Sequence, residues 1–179
     1  VFAALFLMSS SAFSQKLFTR DAKIKFSSDT PMEKIEGLNK SGTCVLDAAT
    51  GKMEWKVLIK GFLFEKALMQ EHFNENYVES TKFPKATFKG KIADLTKVNF
   101  KQDGTYNISV SGNMTMHGVT KPLTLEIEEF LCKPNPMSKK ETCGADASAE
   151  FNRSDFGVSY GKAFGFKQEV DLQIQVEAV

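Results

Sequence analysis

The feature that most narrows the fold of this chain is a period-two alternation of apolar and polar side chains that returns along most of its length. EVDLQIQVE, residues 169–177, sets Val170, Leu172, Ile174 and Val176 against Asp171, Gln173 and Gln175. KMEWKVLIKG, residues 52–61, sets Met53, Trp55, Val57 and Ile59 against Glu54, Lys56 and Lys60, with Leu58 the exception. Successive side chains of a strand point to opposite faces, so this pattern predicts antiparallel strands with one face buried and the other in water. Weaker versions occur in AKIKFSS (22–28), SGTCVLD (41–47), KATFKGKI (85–92), TYNISVSG (105–112), KPLTLEIEEFL (121–131) and ADASAEFN (145–152), which makes eight segments.

The punctuation between these runs is also of the β type: DAATGK (47–52) and KQDG (101–104) supply Gly-containing turns. Residues 64–79 break the rule. Ala67, Leu68, Met69, Phe73 and Tyr77 recur there at helical intervals without Gly or Pro, which predicts one short helical segment. Eight strands in an open sheet would leave edges that invite association, and closure removes them. The expected fold is therefore all-β, an eight-stranded antiparallel barrel with one short helical segment near residues 64–79.

An eight-stranded barrel is just wide enough to be filled by its own side chains or to hold one small ligand. Composition leans towards the ligand, because sixteen Phe accompany a single Trp. Phe has no polar handle, and a surplus of it implies apolar lining beyond an ordinary core. The 23 Lys and Arg balance 22 Asp and Glu without a basic stripe, so a nucleic-acid partner has no support.

The stretch MQEHFNENYVESTKFPKATFKG, residues 69–90, looks at first like an active site. On a helix, His72, Glu75 and Glu79 would share a face, compatible with a histidine and carboxylate metal site. Catalytic zinc wants three protein ligands, usually two or more of them histidines, and His117 is the only other histidine. HExxH, paired CxxC and EF-hand patterns are absent. In MTMH (114–117), Met114 and Met116 share one face while Thr115 and His117 take the other, so copper ligands do not converge. GxSxG is absent, and Cys44 has no neighbouring histidine in sequence. No catalytic residue, metal site or cofactor is expected, and the chain reads as a binding protein rather than an enzyme.

HFNENYVESTKFPKATFKG (72–90) followed by SGNMTMHGVTKPLTLEI (111–127) resembles the YceI-like family of exported, lipocalin-like barrels. That family carries a histidine-led helical segment, a Tyr/Phe-Pro step into a strand ending Phe-x-Gly or Phe-x-Ser, and a Gly-x-Leu-Thr-x-His-Gly-Val-Thr-x-Pro hairpin. The counterparts here are His72, Phe83-Pro84, Phe88 with Gly90, and Gly112 through Pro122. ASAEFNRSDFGVSYG (147–161) resembles the family's strand and SDFG-like segment. Where the family often has an Arg-Asp pair ahead of its histidine, this chain has Met69-Gln70-Glu71.

The resemblance implies a barrel that encloses a long apolar amphiphile such as a polyisoprenoid, an isoprenoid quinone or a similar lipid. Alternate residues of many strands would line it: Trp55, Val57, Ile59, Phe88, Ile108, Val110, Leu125, Ile127, Leu172 and Ile174, with Phe73 and Tyr77 at the mouth. Glu71, His72 and Asn74 would form a polar rim. Each lining residue has a rival role as plain core, since parity tells which side chains are inside but not what they touch.

Cys132 and Cys143 bracket KPNPMSKKET, a polar loop without apolar period, and a bridge between them would close it. Cys44 reads as a small buried residue. Residues 1–14 read as the remainder of a signal peptide, an apolar run followed by small residues. That run is about half of the ~20 residues needed to span a bilayer, so membrane insertion is not expected. The expected protein is one barrel domain over 15–179, periplasmic or secreted, and a homodimer is as compatible with this reading as a monomer.

Overall fold

The computed structural model describes residues 16–30, 34–100, 106–134, 141–164 and 166–178; the leader-like residues 1–14 lie outside them. Eight strands close into a barrel in which each pairs antiparallel with its sequence neighbours and the last returns to the first. They are β1 (Lys16–Asp29), β2 (Lys34–Asp47), β3 (Lys52–Leu58), β4 (Lys85–Ile92), β5 (Ile108–Met116), β6 (Val119–Pro134), β7 (Glu141–Asn152) and β8 (Glu169–Ala178). All eight expected strands are present, and the alternation works as anticipated. Along β8, for example, Val170, Leu172 and Ile174 are buried while Asp171, Gln173 and Gln175 face water.

The strands are longer than the alternating runs wherever the parity breaks. In β1 the register slips between Thr19 and Ala22 and again between Ala22 and Ile24. Thr19 and Ala22 are both buried although three residues apart, because a bulge lets the chain cross from one face to the other. β6 repeats the device between Ile127 and Glu129, which turns both Ile127 and Phe130 inward. The segment bracketed by Cys132 and Cys143 is less of a loop than expected: the hairpin continues past both cysteines to Pro134 and Glu141.

β5 and β6 are joined by the two residues His117 and Gly118, both at positive φ (52° and 76°). Two-residue hairpin loops with positive φ at both positions match the right-handed twist of the flanking strands. On the other side of β5, Gly90 of β4 stands opposite Gly112. A Cβ on Gly112 would lie 2.3 Å from the Lys89 carbonyl oxygen, so only glycine permits this approach of β4 and β5.

β3 stops earlier than its alternation does. Ile59–Gly61 form a short 3-10 turn instead, although Ile59 stays buried. The cause is Asn39 of β2, fully buried, whose side-chain amide donates to the Leu58 carbonyl at 3.0 Å and whose Oδ1 accepts from the Ser41 backbone at 2.9 Å. The side chain takes over the end of the strand, and beyond it β2 pairs with the chain after β3 through an isolated bridge between Leu38 and Leu63.

The helical segment follows: α1 (Ala67–His72) runs into a wider turn over Phe73–Tyr77, closed by the Val78 amide donating to the Phe73 carbonyl at 3.0 Å. No residue of α1 is buried, and Leu68 is among the exposed large apolar side chains. A helix with so little packed against it lies over a space instead of filling it. Glu79 sits beyond the helix at φ 45°, so it does not share a helical face with His72. No helix among the described residues is long and apolar enough to cross a membrane.

Candidate ligand cavity

Four side chains standing directly opposite one another on adjacent strands form a belt across the interior. Cys44 pairs with Trp55, Trp55 with Phe88, and Phe88 with Met114. The rings of Trp55 and Phe88 stack with centroids 6.0 Å apart, and Phe88 and Met114 are almost fully buried. Such a row follows from strand geometry: directly opposed Cβ atoms of antiparallel neighbours lie within about 5.5 Å. The belt divides the barrel, and Trp55 touches both compartments.

On the flap side lies an apolar cavity of about 300 Å³. Its wall includes Ile24, Phe26, Trp55, Val57, Ile59, Ala86, Met114, Met116 and Leu172, with Phe73 and Tyr77 reaching in from the helical flap. The row above the belt explains the space, because Val57 faces Ala86 where Trp55 faces Phe88 one row lower. Along β1 the lining runs from Ile24 to Thr30, which at strand rise is about 20 Å of wall. Phe26, Phe62, Phe64 and Phe73 do not fill the middle: they pack on each other, with centroids 4.9 to 5.9 Å apart, as one aromatic wall.

Beyond the belt the interior is nearly solid, with about 40 Å³ left between Leu17, Cys44, Leu46, Ile92, Ile108, Leu125, Ile127 and Ile174. Phe100 and Tyr106 pack edge-on against Phe130 at this end. Burial pushes the Cys44 thiol up to about 11, consistent with a dry compartment.

The residues expected to line a ligand thus fall into two groups. Trp55, Val57, Ile59, Phe73, Tyr77 and Leu172 border the open cavity. Ile108, Leu125, Ile127 and Ile174 border the closed end, and Phe88 and Val110 are fully buried in the packing. Of the expected polar rim, His72 reaches the cavity wall. Glu71 is exposed, and the Asn74 side chain turns back to donate to the Gln70 carbonyl at 2.8 Å.

Two arrangements at the mouth escaped the sequence. His117 Nε2 lies 2.8 Å from a Glu79 carboxylate oxygen and Nδ1 lies 3.1 Å from the Phe156 carbonyl oxygen, with the ring against Phe83. This one imidazole ties the flap's exit, the β5–β6 turn and the segment after β7. No group of three metal-ligating side chains occurs among the described residues. The second is Arg153, buried at the same end and bordering the cavity. Its signal was the RSDFG stretch, where an Arg one residue past a strand would ordinarily be assigned to solvent.

A closed eight-stranded antiparallel barrel with an apolar chamber under a helical flap is the class of protein that these features define. The chain belongs to the YceI-like domain family, whose sequence model matches residues 16–178. Over 106 residues it is 35% identical to Protein YceI of Shigella flexneri; the match covers 58% of this chain and 49% of that one, so the chain spans about half the length of that relative. The crystal structure of Burkholderia cenocepacia BcnA is similar with TM-score 0.68 at 20% identity, over 88% of this chain and 96% of that one. A polyisoprenoid binding domain from Saccharophagus degradans, implicated in plant cell wall breakdown, gives TM-score 0.69 at 11% identity, over 92% and 98%. At these identities the two structural likenesses concern the fold.

Proposed function

We propose that the protein is an exported carrier or store for a long apolar amphiphile, a polyisoprenoid, an isoprenoid quinone or a similar lipid, held in the flap-side chamber without covalent chemistry. The observation that carries this reading is the chamber itself, some 300 Å³ walled by aliphatic and aromatic side chains, in a barrel whose other end is packed. That volume is at the lower end of the ~300–1,000 Å³ of small-molecule sites. Each buried methylene contributes about 0.8 kcal/mol, so a chain of a dozen carbons gains roughly 10 kcal/mol before the cost of ordering it. Membership of the family and the likeness to a polyisoprenoid binding domain support the choice of guest.

Export is part of the same reading. It is supported by the leader-like composition of residues 1–14 and by the cysteines. Cys132 stands directly opposite Cys143, at a separation that a disulfide spans. We propose a bridge between them, which an oxidising compartment would maintain.

The test is native mass spectrometry of the purified protein, followed by solvent extraction of whatever it carries. A prenyl or acyl compound leaving with the protein, or taken up when offered, supports the assignment. A barrel that neither co-purifies with lipid nor takes up a prenyl or acyl probe contradicts it and leaves a barrel with a structural role.

A further inference from the structure

Apart from the Tyr77 phenol, the ionisable groups on the wall of the open chamber are all basic. They are Lys66, His72, Arg153 and Lys167, and no Asp or Glu borders it among the described residues. Arg153 stands apart from the other three because it is only 6% exposed. Its Nε donates to the Lys167 carbonyl at 3.1 Å, and Nη1 donates to the carbonyls of Val158 at 3.1 Å and Tyr160 at 2.6 Å. The guanidinium lies over the Tyr77 ring, 5.4 Å from its centroid. Nη2 is closed to water and has no hydrogen-bond partner.

Three carbonyls fix the group but bring dipoles, not charge. Lys167 has an ion-pair partner in Asp29 at 3.5 Å, whereas no carboxylate pairs with Arg153 among the described residues. Burial accordingly holds the guanidinium pKa below its ordinary value, opposed by the charge interaction with Tyr77. A buried cation without a counter-charge, and a buried N–H without an acceptor, are each costly to keep. An oxyanion in the chamber is the group that would supply the missing charge.

Position agrees. Arg153 follows Asn152, which pairs with Glu169 at the start of β8, and so lies at the flap end of the chamber. Trp55 lies at the far end. We propose that the chamber selects amphiphiles with an anionic head, a carboxylate or a phosphate, and that the Arg153 guanidinium supplies the counter-charge to the head while the tail runs towards Trp55. This rests on the reading that the chamber takes an apolar chain.

The experiment is displacement of a neutral naphthylamine fluorophore from the full chain by four twelve-carbon amphiphiles below their micelle concentrations: dodecanoate, dodecyl phosphate, dodecanol and dodecylammonium. At least one anion should bind about tenfold to a hundredfold more tightly than dodecanol, the worth of a charge-assisted hydrogen bond, and the ammonium should bind more weakly than dodecanol. Whichever anion leads identifies the head. Arg153→Gln should erase the preference, so that the affinities for the leading anion and for dodecanol converge. Arg153→Lys, which keeps the charge without the planar donor, should retain part of it and serves if the glutamine variant does not fold. Equal binding of the anions and dodecanol overturns the inference but leaves the apolar chamber standing. A preference unchanged in both variants overturns the role of Arg153. Displacement by none of the four contradicts the carrier function itself.

Discussion

The two ends of this barrel are built from the same strands with the same alternation, yet one encloses about 300 Å³ and the other about 40 Å³. The difference is not one of polarity, because both interiors are apolar. It lies in which side chains share a row. Below the belt, Ile92, Val110 and Leu125 stand opposite one another on β4, β5 and β6 and interlock. Above it, Ala86 occupies the matching inward position, β3 gives way to a turn at Ile59, and four phenylalanines pack sideways on each other. Alternation decides what goes inside a barrel, while the sizes of facing residues decide whether the inside is full.

Removing the divider should have the largest effect. Trp55→Ala is expected to cost about 3–5 kcal/mol in urea unfolding, as deletion of a buried aromatic generally does. It should also merge the two spaces. Next, Leu125→Ala in the closed end should cost about 2–5 kcal/mol and leave guest affinity unchanged. Loss of binding in that variant would mean that the closed end also holds ligand.

Added bulk should separate the ends in the opposite sense. Val110→Phe has no room and is expected to destabilise by about 1–3 kcal/mol. Ala86→Phe has a chamber to enter, so it should change stability by less than about 1 kcal/mol while cutting guest uptake at least tenfold. Equal destabilisation by the two would mean that the chamber is not empty space.

How much of this was legible beforehand follows from the same distinction. All eight strands could be located because apolar parity is a local property, and KATFKGKI matches β4 residue for residue. The bulged ends of β1 and β6 were not legible, since a bulge reverses parity. The chamber was legible only as a set of inward residues. Whether Trp55 meets Phe88 or Ala86 depends on register between strands some thirty residues apart, which parity does not fix. Glu79 and His117 are 38 residues apart in sequence, too far for local spacing to pair them. Arg153 was hidden because its partners are backbone carbonyls, which no residue type announces.

The smallest expected effect concerns Cys44, the free cysteine among the described residues. With its thiol raised from 9.0 to about 11, it stays protonated in the folded state, and at pH 8 it should present roughly a hundredfold less thiolate than an ordinary thiol. Alkylation by iodoacetamide should therefore track global unfolding, with or without guest. The associated stability is fully present below pH 9 and is lost as pH rises towards about 11, because the unfolded chain ionises first. Rapid labelling of the native protein would show water reaching the closed end and contradict its dryness.

The most direct test of the account is a titration with n-alkanols of increasing length, which isolates apolar enclosure from head-group chemistry. Affinity should improve by about 0.8 kcal/mol per added methylene until the chain meets Trp55, then level off, and the break should move to longer chains in Trp55→Ala. An affinity independent of chain length, or a break that does not move when Trp55 is removed, would contradict it.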